Sequence, residues 1–338
     1  MSLIQRVAAE YEKGGLSTLF SSAINFTGKK IFTPKPRYRI SNAYWNLKRL
    51  NDTSVRAVDG DWDNLIILDA CRYDAFSEVN WLEGNLEQRY AVASNTTNFL
   101  MKNFVDERLY DTIQLTANPK GIKLENEYSN GSRIFYKTIS MMDQWDRETQ
   151  TVLPEDMVEK AIEVHEKYPH KRLVVHFVQP HLPYIGEKAA EMRNQLGRPP
   201  GGYNPNQEHL DVQKENVKRI DFDTVHRNDI DITTADLREA YYESLELALS
   251  EIENLLEALN GRSVITADHG EVFNEQPLPF GKGLYGHPKK IKTDSLRQVP
   301  WFVVDSGVRR ETVAEVPTEN IAENNETIEN RLRALGYK

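Results

Sequence analysis

Residues 263–275 read SVITADHGEVFNE, and the reading of this stretch decides the fold. Ser263, Val264, Ile265 and Thr266 make a short, β-branched, apolar run, the pattern of a buried strand. The run leads straight into Asp268 and His269, followed by Gly270 and Glu271. Open α/β sheets hold their ligands beyond the carboxyl ends of the strands. An Asp-His pair there is therefore either part of a site or part of a turn. Asp, His and Gly all suit turns, and the fragment alone leaves both readings open.

Working outward, other segments repeat the pattern. NLIILDACRYDAF (64–76) reads as an apolar strand ending at Asp69, followed by a helix or turn. RYAVASNTTNFLMKNFVDERL (89–109) reads as a short strand, a polar turn, and a helix with Phe99, Leu100 and Phe104 at apolar positions. LPEDMVEKAIEVHEKYPHK (153–171) has acids in its first turn and Pro169 just past its end, which predicts a helix. RLVVHFVQPHLPY (172–184) follows as a buried strand broken by two prolines. LREAYYESLELALSEIENLLEAL (237–259) is a long amphipathic helix stopped at Asn260-Gly261. QVPWFVVD (298–305) is a further strand, and ETIENRLRALGYK (326–338) a terminal helix stopped by Gly336. Strands alternating with helices predict an α/β fold with a largely parallel central sheet flanked by helices on both faces. We place that domain at 59–310. Residues 185–235, rich in Gly, Pro, Asn and charge, are an insertion or lid within it; 1–58 form a basic N-terminal helical extension and 311–338 a C-terminal tail and helix.

The 338 residues suit one large α/β domain or two ordinary ones, and the 39% of hydrophobic residues suffice for a sizeable core. No apolar run approaches the length of a membrane span. The N-terminus carries acids and lacks the apolar stretch and cleavage site of a signal peptide. The single cysteine, Cys71, rules out an internal disulfide framework and a CxxC metal site. A cytoplasmic protein is the expectation. Charge is uneven: residues 1–56 hold ten Lys/Arg against three acids, so they carry +7 and the rest −16 of the total −9. A basic leader on an acidic body suits an anionic surface, a membrane periphery included. The competing reading is a helix packed on its own domain or on a second subunit, as an oligomer would have. Nucleic acid is not expected, because no aromatic-studded basic stretch occurs in the body.

Asp69, His181 and the pair Asp268-His269 each follow an apolar strand. Strand ends of a parallel sheet converge on one edge, so these groups can meet although distant in sequence. Two carboxylates and an imidazole suit a divalent cation such as Zn²⁺, Mn²⁺ or Mg²⁺. Thr96 or Thr97, in the turn ASNTTNF, lies at a helix start where backbone N–H groups favour negative charge. A threonine hydroxyl bound there to a cation loses its proton more readily and becomes a nucleophile. The alternative is an ordinary helix cap.

Four segments in order resemble the alkaline phosphatase/sulfatase superfamily, in its sulfatase-like and lipoteichoic acid synthase-like branch. NLIILDACRYDAF is similar to its first metal motif, and SVITADHGEVFNE to its most specific one. HFVQPHLPY resembles its His/Pro-His-x-Pro-Tyr segment. YGHPKKIKTDSLRQVPWFVV has the Gly-His followed by Val-Pro that closes the domain. The resemblance spans about 62–305 and leaves the basic leader outside.

It implies that Asp69, Asp268 and His269 bind the metal (Mn²⁺, Zn²⁺, Mg²⁺ or Ca²⁺), joined by a threonine that is the covalent nucleophile. The alignment favours Thr96, with Thr97 one residue away as the alternative. His181 and His287 would face the substrate, binding the transferred group or protonating the leaving oxygen. Arg72 matches the family pattern, either as structure or as a bidentate holder of an oxyanion.

Two departures matter. Formylglycine sulfatases need Cys-x-Pro-x-Arg at the nucleophile, and here Cys71 lies in the metal strand instead. Two-metal members carry an Asp-x-x-x-His pair before their last helix, which AYYESLELALSEI lacks. We therefore expect one tightly held metal, at most a weak second site from His181 or His287, and a phosphate-ester rather than a sulfate-ester substrate, on a glycan or lipid-linked carrier. The alternatives are a sulfatase without formylglycine and a non-catalytic, glycan- or partner-binding member of the fold. His165, His170, His209 and His226 read as solvated, and Tyr241 and Tyr242 as packed on a helix face.

Overall fold

The computed structural model describes residues 41–44, 54–129, 131–196, 232–277, 283–288 and 291–317. The leader up to residue 40, most of the expected lid (197–231, with His209 and His226) and the helix expected at 326–338 lie outside the described residues.

NLIILD folds as β1 (Asn64–Asp69) and is buried at every position. The strands that follow are β2 (Asn85–Tyr90), β3 (Leu109–Thr116), β4 (Phe135–Ser140), the short β5 (Trp145–Asp146) and β6 (Thr151–Val152), β7 (Arg172–Pro180), β8 (Arg262–Ala267), β9 (Val272–Glu275), β10 (Leu284–Gly286) and β11 (Gln298–Asp305). The helices are α1 (Tyr73–Val79), α2 (Thr96–Phe104), α3 (Pro119–Lys123), α4 (Pro154–Lys167), α5 (Glu187–Leu196), α6 (Thr234–Ala258) and α7 (Asp294–Arg297). Seven strands form one sheet in the order β2-β11-β8-β1-β7-β3-β4. β8, β1, β7, β3 and β4 run parallel, while β11 is antiparallel to both β8 and β2. The fold is thus the α/β class expected, a largely parallel sheet flanked by helices.

The apolar runs follow from burial on two faces. Ile66 and Leu68 join Val175, Phe177 and Ile265 in a core shared with Leu245, Leu249 and Ile252 of α6. Leu65 and Ile67, one residue out of phase, join Val174 and Val264 beneath Phe99, Leu100 and Phe104 of α2. Truncating any of these strand residues to Ala costs about 2–5 kcal/mol. The helices start where the caps dictate. Asn95 accepts from the Asn98 N–H at 3.1 Å at the head of α2, and Thr233 with Asp236 forms a capping box for α6.

Packing extends beyond residues 59–310 on both sides. Ala57 and Val58 are buried, and the Ala57 N–H donates to Asn103 Oδ1 at 2.6 Å. After β11, residues 306–317 strap the amino-terminal ends of the strands: the Val313 N–H donates to the His170 carbonyl at 2.9 Å and the Glu315 N–H to the Tyr110 carbonyl at 3.1 Å. Arg310, in this strap, donates to His165 Nδ1 at 2.7 Å. His165 is therefore a half-buried acceptor rather than the solvated ring its sequence suggests; the partner lies 145 residues away and leaves no local signal.

Candidate metal centre and nucleophile

The sheet order makes the site. β1 lies between β8, with Leu68 opposite Ala267, and β7, with Asp69 opposite Pro180. The three strands end side by side, so Asp69, His181, Asp268 and His269 gather on one edge, as in other open α/β sheets. Asp69, Asp268 and His269 are all fully buried, and one ligand atom from each lies within 4.8 Å of the others.

Each group is oriented by its neighbours. The His269 Nδ1 sits 2.8 Å from the Gly270 carbonyl. A carbonyl only accepts, so Nδ1 carries the proton and the Nε2 lone pair faces the centre. That Nε2 lies 3.6 Å from Asp69 Oδ1 and 3.4 Å from Asp268 Oδ2. Asp268 Oδ1 accepts from the N–H groups of Ala70 at 3.0 Å and His269 at 2.8 Å, which turns Oδ2 inward. Among the described residues Oδ2 accepts no hydrogen bond although it is buried. Asp69 Oδ2 accepts from Asn118 Nδ2 at 2.6 Å. Buried carboxylates side by side are costly without a cation, and an inward-facing imidazole lone pair beside them completes a donor set that suits a divalent ion.

The α2 helix delivers the hydroxyl. Thr96 is its first residue, fully buried, with Oγ1 3.2 Å from His269 Nε2. Thr97 is the next residue on the helix and only half-buried. His181 and His287 meet through their Nε2 atoms at 2.9 Å. His181 Nδ1 lies 2.6 Å from the Leu182 carbonyl and so donates to it; its Nε2 is then the acceptor of the proton on His287 Nε2. The His287 ring lies tilted against that of His269, their centroids 4.6 Å apart. Burial, then the charges of His269, His181 and Lys120, hold His287 well below its ordinary pKa. The structure thus brings together Asp69, Thr96, His181, Asp268, His269 and His287.

Arg72 is placed differently. Its guanidinium donates to Asp74 from Nε at 2.7 Å and from Nη2, and its Nη1 reaches the Glu271 carbonyl at 3.2 Å and the Glu275 carboxylate. Burial pulls its pKa down, but Asp74 and Glu275 outweigh burial and leave it raised. Its donors tie the loop after β1 to the loop after β8. The Arg72 N–H also donates to Tyr241 Oη, which donates in turn to the Ala70 carbonyl, both at 2.9 Å. Tyr241 is therefore a clamp on the loop after β1 as well as a packed ring.

Asn118 and Lys120 are further residues of this region that the sequence reading omits. Asn118 caps α3, its Oδ1 accepting from the Lys120 N–H at 2.9 Å, and holds Asp69 with its other atom. Lys120 is buried and its charge is felt at His287. The one sequence signal for both is Asn-Pro straight after a strand, which marks a capped helix start and carries no hint of chemistry.

The sequence model of the sulfatase family matches residues 87–330, and the chain belongs to that family. β1 with Asp69 lies upstream of the matched span. A search of the curated proteins found no match. Among solved structures, the chain is similar to the C-terminal periplasmic domain of EptC from Escherichia coli, solved with Zn, at 14% identity and TM-score 0.45 over 75% of each chain. It is similar to lipooligosaccharide phosphoethanolamine transferase A of Neisseria meningitidis at 13% identity and TM-score 0.44, over 90% of this chain and 58% of that one. It is also similar to the lipoteichoic acid synthase LtaP of Listeria monocytogenes at 12% identity and TM-score 0.42, over 81% of this chain and 71% of that one. No described helix is long and apolar enough to cross a membrane.

Proposed function

We propose that the chain is a metal-dependent hydrolase or transferase of phosphate esters that works through Thr96. The observation that carries this reading is the 3.2 Å approach of Thr96 Oγ1 to His269 Nε2, inside the set formed with Asp69 and Asp268. One divalent cation held by Asp69, Thr96, Asp268 and His269 would lower the proton affinity of the hydroxyl and offset charge on the phosphoryl oxygens. Thr96 Oγ attacks phosphorus, and a phosphothreonine forms as the bond to the leaving oxygen breaks. In this reading the proton on His287 Nε2, shared with His181 Nε2, passes to that oxygen. Water, or an acceptor alcohol, then attacks the phosphothreonine and restores the hydroxyl. Lys120 adds a buried positive charge on the His287 side, where the anionic substrate would lie. The basic 1–56 segment suits a carrier at an anionic surface, such as a lipid-linked or glycan phosphate.

The test is elemental analysis of the purified protein together with hydrolysis of p-nitrophenyl phosphate, the corresponding diester and p-nitrophenyl sulfate, with Mn²⁺, Zn²⁺ and Mg²⁺ supplied. About one metal per chain is expected, with phosphate-ester turnover, both lost in Asp268→Ala. Turnover of the sulfate alone supports a second reading, a sulfatase without formylglycine, which the sulfatase family match favours and the threonine at the nucleophile position opposes. No metal and no turnover leaves a binding protein on an inherited fold.

A further inference from the structure

His176 lies in the middle of β7, within the run Val174, Val175, His176, Phe177, Val178. Its neighbours there all belong to the apolar cores, whereas His176 is a fully buried imidazole with no hydrogen-bond partner for either ring nitrogen among the described residues. Burying a polar atom without a partner is costly, so a valine or leucine would serve packing better. Buried polar groups are nearly always satisfied, by protein or by held water.

The sheet register places this ring beneath the metal centre. His176 pairs with Ile67 of β1, and Ile67 pairs with Thr266 of β8. Paired residues of parallel strands share a face, and the two-residue alternation puts Asp69 on the face of Ile67, nearer the strand end. With strands about 4.8 Å apart and a rise of about 3.3 Å per residue, the Cα atoms of His176 and Asp69 are about 8 Å apart. Just past His176 the register slips: Asp69 is opposite Pro180, so two residues of β1 face four of β7. Such irregularities gather beside functional sites and re-aim side chains. Burial, and then the nearby charges of Asp268 and His269, set the His176 pKa near 4. The ring is thus neutral at ordinary pH, with one N–H to donate and one nitrogen to accept. Asp268 Oδ2, above it, is another buried atom with no hydrogen bond among the described residues.

We propose that His176 is a positioning residue of the ion centre, its imidazole hydrogen-bonding from within the sheet to water shared with the Asp268 carboxylate and the ion. The inference rests on the metal reading above, and the experiment separates the two. Chelator-stripped wild-type protein is titrated with Mn²⁺ and with Zn²⁺ alone by calorimetry; absence of binding overturns the metal reading and this inference with it. Given wild-type binding, His176→Leu and His176→Phe are compared with His176→Gln, which keeps a donor and an acceptor. Both apolar variants should bind the ion about 10- to 100-fold more weakly while their metal-free unfolding midpoints stay level or rise, and the Gln variant should keep most of the affinity. The split between polar and apolar variants is the readout. Equal affinities across all three variants, or weakened binding that merely tracks a lowered metal-free midpoint, would falsify the proposal.

Discussion

Thr96 Oγ1 and His269 Nε2 lie 3.2 Å apart although the two residues are 173 positions apart in the chain. The contact joins the first residue of α2 to the loop after β8, and Asp69 at the end of β1 closes the group. Nothing flexible holds it: Thr96 sits on a capped helix, His269 is pinned through Nδ1, and both carboxylates accept hydrogen bonds that fix their orientation. This arrangement carries the functional account, and the residues that brace it can be tested singly.

Asn118 braces Asp69 through a 2.6 Å hydrogen bond to Oδ2. Asn118→Ala removes that donor and also the cap of α3. We expect metal affinity to fall about 10- to 100-fold, the usual effect of losing a group that orients a ligand. Titration of the metal-free variant with Mn²⁺ or Zn²⁺ gives the answer directly, and unchanged affinity would show that Asp69 needs no such brace.

Arg72 is a tie between two loops, and its substitution should register mainly as lost stability. Arg72→Met leaves the Glu271 carbonyl without its guanidinium and the Glu275 carboxylate to Arg238 and the Phe273 N–H, a loss of about 2–3 kcal/mol in denaturant unfolding. Arg72→Lys should recover little, because an ammonium cannot make the two-pronged contact with Asp74. If instead stability holds and KM for a phosphate ester rises sharply, the guanidinium holds substrate.

Gly270 lies where no side chain fits. A Cβ there would stand 2.1 Å from the Ser295 carbonyl oxygen, a backbone atom that the Gly270 N–H bond to the Leu296 carbonyl keeps close at hand. Gly270→Ala should cost about 1–3 kcal/mol, and it should weaken ion binding as well, because the Gly270 carbonyl orients His269. Wild-type affinity in a destabilised variant would separate the loop's packing from its ligand geometry.

The strap after β11 makes stability depend on pH. Burial, then the charge of Arg310, lowers the His165 pKa from its ordinary 6.5 to about 4. Unfolded chains take up this proton near 6.5 and folded ones only near 4, so between those values the unfolded state binds more protons. The contribution is whole above about 6.5 and is lost as pH falls through the window. Unfolding midpoints at pH of about 7 and about 5 should therefore differ less in His165→Gln than in wild type. An equal difference in both would exclude His165 as a source.

Much of this was legible in the sequence where local pattern and final environment agree. NLIILD and SVITA are apolar because both faces of their strands are covered, and the acids that follow them stand out against that run. The strand ends converge because the sheet is parallel, so Asp69, Asp268 and His269 could be grouped without knowing the strand order. β3 and β4 leave no such pattern, since LYDTIQLT and FYKTIS interleave polar residues that the structure buries or half-buries. Asn118, Lys120, Tyr241 and the Arg310–His165 pair act through partners distant in the chain, and their residue types look ordinary in place. His176 was hidden by the opposite effect, one polar ring inside a run whose pattern announces only core.

The most direct measurement is the covalent intermediate. Protein supplied with metal and p-nitrophenyl phosphate, quenched in acid during turnover and digested, should yield a phosphorylated peptide carrying the group on Thr96. Thr96→Ala should abolish the adduct and lower turnover by on the order of 10³-fold or more, while Thr97→Ala keeps both. An adduct on Thr97, or turnover in Thr96→Ala within about tenfold of wild type, would contradict the assignment of Thr96 as the nucleophile.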